Sequence, residues 1–381
     1  MVAVTSTARR ASSSLLSTGA RAVVAPLERV FYPGRVQTFS DLRGERRPAA
    51  DPALFEASAV VRTFDAPEFR GITFYEVEAK SILNRVPAAS RMPFEWTINV
   101  YRGCSHACLY CYARPSHTYL NFDAGRDFET KVVVKVNAGE VLRRELRRPS
   151  WPGAHVAMGT NTDPYQRCEG RYGLTRAVLE ALRDYRNPCS VLTKSPLLLR
   201  DLDLFVELAG TAGFSANLSI GTLDEDVWRR SEPGTPHPKA RMAAVRALRQ
   251  AGIPCGILMA PILPGISDSP EQLRTVVRAA AEAGATHLTP LTLHLRPGVK
   301  EEFMPWLARE YPELVDGYRR LYRGSNAPKA TREAIADRVR AAKRRHPPPS
   351  APQVDAVAAR RQREPAAAPP GEPPDQLSLL D

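Results

Sequence analysis

From residue 96 to residue 293 the chain repeats one pattern six times: a short apolar run rich in β-branched and aromatic residues, then, in most repeats, a longer stretch of helical periodicity. The apolar runs are residues 96–101, 154–158, 190–193, 214–220, 253–259 and 286–293. The helical stretches are 174–185, 201–210, one running through Trp228, 239–251 and 270–283. Parallel strands need a crossover connection, usually a helix, so the alternation predicts a parallel sheet with helices outside. Six such units fit an incomplete (β/α)6 barrel, and in barrels of this kind the chemistry gathers at the carboxyl ends of the strands.

The first strand end is where chemistry-bearing residues concentrate. Cys104, Cys108 and Cys111 follow the first run at once, spaced C-x3-C-x2-C, with Tyr110 just before the third thiol. Four-iron clusters are normally held by four thiolates, so a set of three leaves one iron without a protein ligand. An open metal position marks a catalytic site rather than a structural one. A closed zinc site would need a fourth ligand; His106 and His117 are near, but neither completes a second C-x2-C or an H-x3-H pair. No secretory leader is evident, which argues against disulfides. Cys168, Cys189 and Cys255 are scattered and read as buried thiols.

This cysteine spacing resembles the cluster loop of the radical S-adenosylmethionine (SAM) enzymes. The resemblance implies that Cys104, Cys108 and Cys111 ligate a [4Fe–4S] cluster whose open iron chelates SAM. Reductive cleavage of the sulfonium then yields a 5′-deoxyadenosyl radical.

The other strand ends are also polar. Gly159 and Thr160 open the segment 159–166, in which Asp163 is the carboxylate; it is suited to the amino-acid end of SAM, although Asp-Pro and Asn are also plain turn residues. Lys194 at the third strand end can meet the SAM carboxylate as a point charge. Ser219 on the fourth strand is placed for the ribose. Glu232 and Arg241 suggest an ion pair near the site. Pro261 and Leu263, in the Pro-rich turn 261–265, offer apolar surface to adenine, as does Tyr110.

In order along residues 75–325, the segments 98–104, 111–114, 159–166, 192–195, 232–233 and 261–265 resemble the spore photoproduct lyase-like branch. That likeness implies SAM contacts from Tyr110, Thr160, Lys194 and Ser219. The namesake enzyme repairs a DNA lesion and returns a hydrogen atom from a cysteine at the second strand end. Gly159 occupies the matching position here, which argues against photoproduct repair itself; Tyr110 and Tyr112 are the candidate relay residues.

The 381 residues, 43% of them hydrophobic, suffice for one large domain with appendages. The expected layout is a poorly ordered arm (1–50), a core with lead-in and C-terminal helices (51–325), a basic helical extension (326–345) and a disordered Pro/Ala-rich tail (346–381). No apolar run is long enough for a membrane span, so a cytoplasmic protein is expected. A net charge of +12 suits an acidic polymer as partner, nucleic acid above all. The tail ends in Gln376, Leu377, Ser378, Leu379, Leu380, which resembles the motif by which bacterial repair and replication proteins dock on the DNA sliding clamp. The leading expectation is a radical SAM enzyme acting on damaged or modified nucleic acid, reduced by a carrier such as flavodoxin or ferredoxin. The alternatives are a peptide, RNA or metabolite substrate, or a non-enzymatic metal-binding adaptor on DNA.

Overall fold

The computed structural model describes residues 59–347 apart from 88, 89 and 91, and the backbone of 46–48. The expected tail with its Gln376–Leu380 motif, and almost all of the expected N-terminal arm, lie outside the described residues. In chain order the strands are β1 (Arg46–Pro48), β2 (Val60–Arg62), β3 (Thr73–Val77), β4 (Leu83–Arg85), β5 (Trp96–Ile98), β6 (Tyr101–Arg102), β7 (Lys131–Lys135), β8 (Val156–Met158), β9 (Cys189–Thr193), β10 (Phe214–Ser219), β11 (Cys255–Ile262) and β12 (Leu288–Thr292).

The larger sheet has the order β12-β11-β10-β9-β8-β5-β4. Six of its strands, β5 and β8 to β12, pair in parallel with their sequential neighbours, and β4 adds antiparallel to β5 at the edge. Each crossover advances one position in the same direction, which curls the sheet into a barrel wall. No ladder joins β12 to β4 among the described residues, so the wall stays open: the fold is the incomplete (β/α)6 barrel that the alternation predicts.

The helices follow from their periodicity. Helix Leu174–Asp184 buries Leu174, Val178, Leu179 and Leu182, one stripe at helical spacing. Helix Pro270–Glu282 starts with Ser269 and Gln272 in a reciprocal capping box and buries Leu273, Val276, Val277 and Ala280. Each such leucine or valine side chain contributes about 1.5–3 kcal/mol when fully removed from water. Helix Lys329–Arg345 packs against this helix, with Ile335, Val339 and Ala342 buried in the main core.

A second sheet, β1-β2-β3-β7-β6, is the main addition to the expected architecture. The first predicted strand, 96–101, in fact divides: β5 stops at Ile98, and Tyr101–Arg102 leaves the barrel to pair with Val134 and Val133 of β7. This detour sets the start of the cysteine loop. Val132 and Val134 of β7 face the main core, whereas Val133 packs on the other side with Phe122 and Ala59. Residues 293–327 build a further apolar cluster around Phe303, Trp306, Tyr318 and Tyr322, and it includes Cys108, Tyr110 and Leu263. That cluster supports the cysteine loop from the C-terminal side. Among the described residues no helix is long and apolar enough to cross a membrane.

Candidate active site

The cysteine loop is held at its backbone. Gly103 turns with φ +80°, and a Cβ there would lie 2.7 Å from the Lys131 carbonyl oxygen, so glycine is what lets the loop lie against β7. Cys104 N–H then donates to Phe128 O at 2.9 Å. Arg114, 1% exposed, donates to Cys108 O through Nε (3.1 Å) and Nη2 (3.0 Å), to Ala124 O and Gly125 O through Nη1, and pairs with Glu129. Gln166 bridges the near side, accepting from Ser105 N–H (3.0 Å) and donating to Gly103 O (3.1 Å). On the far side Leu109 N–H donates to Ser231 O (3.0 Å) and Gly234 N–H to His106 O (3.1 Å). A Cβ on Gly234 would stand 2.2 Å from Ser105 O, so this contact too requires glycine.

Burial pushes all three thiols up in pKa. Backbone N–H groups act against this, that of His106 at Cys104 and those of Ala113 and Arg114 at Cys111. Such buried thiols ionise when a cation supplies the charge. Among the described residues no three His, Cys, Asp or Glu side chains converge on one metal ion. A cluster that gives each thiolate its own iron does not require such convergence.

Facing the loop is a charged knot that joins the ends of β9 and β10 to Glu232, at the end of helix Glu225–Ser231, and Arg241 of helix Pro238–Gln250. Lys194, just after β9, donates through Nζ to Ser219 Oγ (2.9 Å), Tyr110 Oη (3.2 Å) and Glu232 Oε1 (3.0 Å). Glu232 also pairs with Arg241 at 2.5 Å, the ion pair expected from the sequence, and accepts from the Tyr110 hydroxyl. Arg241 reaches back to Ser219 O (3.1 Å) and Pro236 O (2.9 Å). Burial alone would raise the Glu232 pKa, but Arg241 and Lys194 override it and hold the carboxyl well below the usual range. Two cations, Arg241 buried and Lys194 half-buried, against one carboxylate leave the knot one positive charge in excess.

Asp163 differs from its expected part. Its Oδ1 accepts from Tyr165 N–H (2.9 Å) and Thr193 Oγ1 (2.6 Å); its Oδ2 accepts from Lys194 N–H (2.7 Å) and lies 3.3 Å from His106 Nδ1. A carboxylate has about four acceptor positions, and all are taken, so Asp163 braces the site rather than offering a free carboxylate to a ligand. Burial acts to raise its pKa, but His106 and these donors hold it below the usual range.

The remaining candidates are placed as follows. Gly159 and Thr160 follow β8 and are half-buried. Pro261 is half-buried within β11, and Leu263 is buried beside Cys108 and Tyr110. Tyr110 is buried with its hydroxyl engaged by Glu232 and Lys194, whereas Tyr112 is 48% exposed. Arg114, Gln166 and His106 organise the loop. Arg114 and Gln166 fall inside matching segments, but nothing in the sequence marks them as its braces.

Fold and site together define an incomplete (β/α)6 barrel with a three-thiol loop after its first strand. The model of the Radical SAM superfamily matches residues 98–288, and the chain belongs to that superfamily, whose members use a [4Fe–4S] cluster and SAM. An uncharacterized protein of Mycobacterium tuberculosis is 50% identical over 295 residues, covering 77% of this chain and 87% of that protein. An uncharacterized protein of Methanocaldococcus jannaschii is 32% identical over 200 residues, covering 52% of this chain and 70% of that protein. Among solved structures, spore photoproduct lyase complexed with dinucleoside spore photoproduct has a TM-score of 0.53 at 18% identity, covering 73% of this chain and 80% of that chain. A mutant of that lyase with bound AdoMet and dinucleoside spore photoproduct gives 0.51 at 18% identity, covering 72% and 79%. These two likenesses show the shared fold. Superfamily membership sets aside the metal-binding adaptor: the protein is a radical SAM enzyme.

Proposed function

We propose that Cys104, Cys108 and Cys111 hold the [4Fe–4S] cluster, that the strand ends around Lys194 hold SAM, and that the substrate is damaged or modified nucleic acid. When bound, the two cofactors supply a 5′-deoxyadenosyl radical by reductive cleavage of the sulfonium. The observation that carries the SAM assignment is the uncompensated positive charge of the Lys194–Glu232–Arg241 knot, which suits a carboxylate. Lys194 is the group to meet it. Ser219 is then within reach of a ribose hydroxyl, Leu263 and Pro261 offer apolar surface to the adenine, and Tyr110 closes the same wall. Gly159 and Thr160 provide a strand end without a bulky side chain for the amino-acid portion.

Nucleic acid is supported by the net charge of +12 and by the fold shared with a lyase solved with a dinucleoside lesion. The chemistry would differ from that lyase at one point. With glycine at position 159 no thiol stands at that position to return a hydrogen atom, and Tyr110 and Tyr112 are the proposed relay residues. Flavodoxin or ferredoxin would supply the electron, in the cytoplasm. The test is anaerobic reconstitution with iron and sulfide, then SAM, reductant and oligonucleotides carrying defined lesions. We expect about four irons per chain, a figure that follows from the cluster type, and 5′-deoxyadenosine in wild type. A Cys108→Ser variant should lose both. Deuterium moving from a labelled oligonucleotide into 5′-deoxyadenosine would identify the substrate class; label moving only from peptide or metabolite would exclude nucleic acid.

The terminal segment Gln376–Leu380 is proposed as a sliding-clamp anchor. Glutamine supplies polar contacts and the leucines fill an apolar groove, while a tether raises local concentration at DNA. Full-length protein should co-sediment with clamp, and protein ending at residue 375 should not. Equal binding by the two would remove this assignment and leave the radical chemistry untouched.

A further inference from the structure

The second sheet carries a pair of cations that the radical chemistry does not use. Arg102, on β6, lies directly opposite Val133 of β7. Directly opposed residues share a face, and so do residues two apart on one strand, so Arg102, Val133, Lys135 and Lys131 all lie on the outer face. Lys135 is the diagonal neighbour of Arg102, a relation that sets Cβ atoms about 7–8 Å apart. Both are half-buried. Lys131, on the same face, is compensated by Asp127 at 3.1 Å and by the Phe122 ring at 4.5 Å. Among the described residues neither Arg102 nor Lys135 has a carboxylate within salt-bridge distance. The repulsion is felt: burial and then the Arg102 guanidinium push the Lys135 ammonium down to about 8, with the more distant Glu145 acting the other way. Holding two like charges together on a half-buried face is unfavourable unless an anion completes it.

We propose that Arg102 and Lys135 form a phosphate-binding site on the outer face of the second sheet, beside the start of the cysteine loop. Arg102 supplies the planar fork that matches a phosphate edge, and Lys135 the point charge. Taken as a backbone phosphate of the substrate, the assignment rests on the nucleic-acid reading above; a free phosphate or pyrophosphate would use the same chemistry. Arg102 immediately precedes Gly103 and Cys104, so a strand gripped here would run past the loop that holds the cluster.

The test uses reconstituted full-length protein and a fluorescent single-stranded oligonucleotide, followed by anisotropy over a range of salt concentrations. The variant R102Q/K135Q should bind about tenfold or more weakly at low salt, and its log K against log[salt] slope should be shallower by about 0.7, the loss of one phosphate contact on a single strand. The charge-conserving R102K/K135R should retain most of the binding, which separates a site from a folding defect, and iron content should be equal in all three proteins. Calorimetry with inorganic pyrophosphate forms the second arm. If wild type binds oligonucleotide and R102Q/K135Q binds it with the same affinity and slope, the site is refuted and the nucleic-acid reading stands. If wild type binds pyrophosphate but no oligonucleotide, and R102Q/K135Q loses pyrophosphate, the site stands and the nucleic-acid reading fails. Binding of neither probe to wild type overturns the proposal.

Discussion

Glu232→Gln should cost about 3–5 kcal/mol of stability, the range found when one partner of a buried ion pair is removed. Glutamine keeps the volume but takes away the carboxylate bonded to both Lys194 and Arg241, whose side chains are 14% and 1% exposed. Arg241 would keep its bonds to Ser219 O and Pro236 O, yet its charge would have no counter-charge. Anaerobic urea denaturation of wild type, Glu232→Gln, Arg241→Met and the double variant forms a cycle that isolates the pair. The double variant should recover part of the loss, because it removes one of the two charges that Glu232→Gln strands and leaves only Lys194 without its counter-charge. A Glu232→Gln protein within about 1 kcal/mol of wild type, the worth of an exposed pair, would show that the knot is screened by water. SAM should tell the same story from the other side. In the proposed SAM site its carboxylate would meet a knot with one extra positive charge in wild type and two in Glu232→Gln, so the stability difference between them should shrink when SAM is saturating.

Gly159→Ala should be nearly as damaging. The obstacle is backbone: a Cβ at position 159 would sit 1.8 Å from Leu192 O on β9, and the residue has φ +85°. A left-handed conformation costs an L-residue about 1–2 kcal/mol and overpacking about 1–3 more, so about 2–5 kcal/mol is expected. Relief would require β8 and β9 to separate where Asp163 bonds Thr193 and Lys194. Gly159→Cys meets the same obstacle, so a donor thiol cannot be installed here by substitution alone. A Gly159→Ala protein that melts with wild type would mean that the two strand ends lie further apart than described.

The barrel was legible because its signal is local. Each run such as Ser190–Thr193 or Phe214–Ile220 announces itself by composition, and helix Pro270–Glu282 carries its own capping residues. The cysteine loop was legible because three thiols at that spacing have few other uses. The second sheet was not, although β7 reads Lys-Val-Val-Val-Lys. A five-residue run after no marked helix gives no sign that it pairs with β3, nearly sixty residues earlier. The same blindness cut the first strand in the wrong place, since only β7 explains why Tyr101 departs. Asp163 was marked as a ligand because a carboxylate at a strand end looks available. Its acceptors are filled by Thr193, Lys194 and Tyr165, two of them at the end of the next strand, which no reading of 159–166 alone reveals.

The ties from Leu109 to Ser231 and from Gly234 to His106 have a consequence for biosynthesis. A ribosome releases the three thiols more than a hundred residues before it releases the peptide groups that shape them. Until Gly234 has emerged, the thiols hang on an unfinished scaffold, open to oxidation and to stray metals. On the proposed assignment of the three thiols, iron delivery is expected after translation of the barrel's second half, as a maturation step rather than a co-translational one.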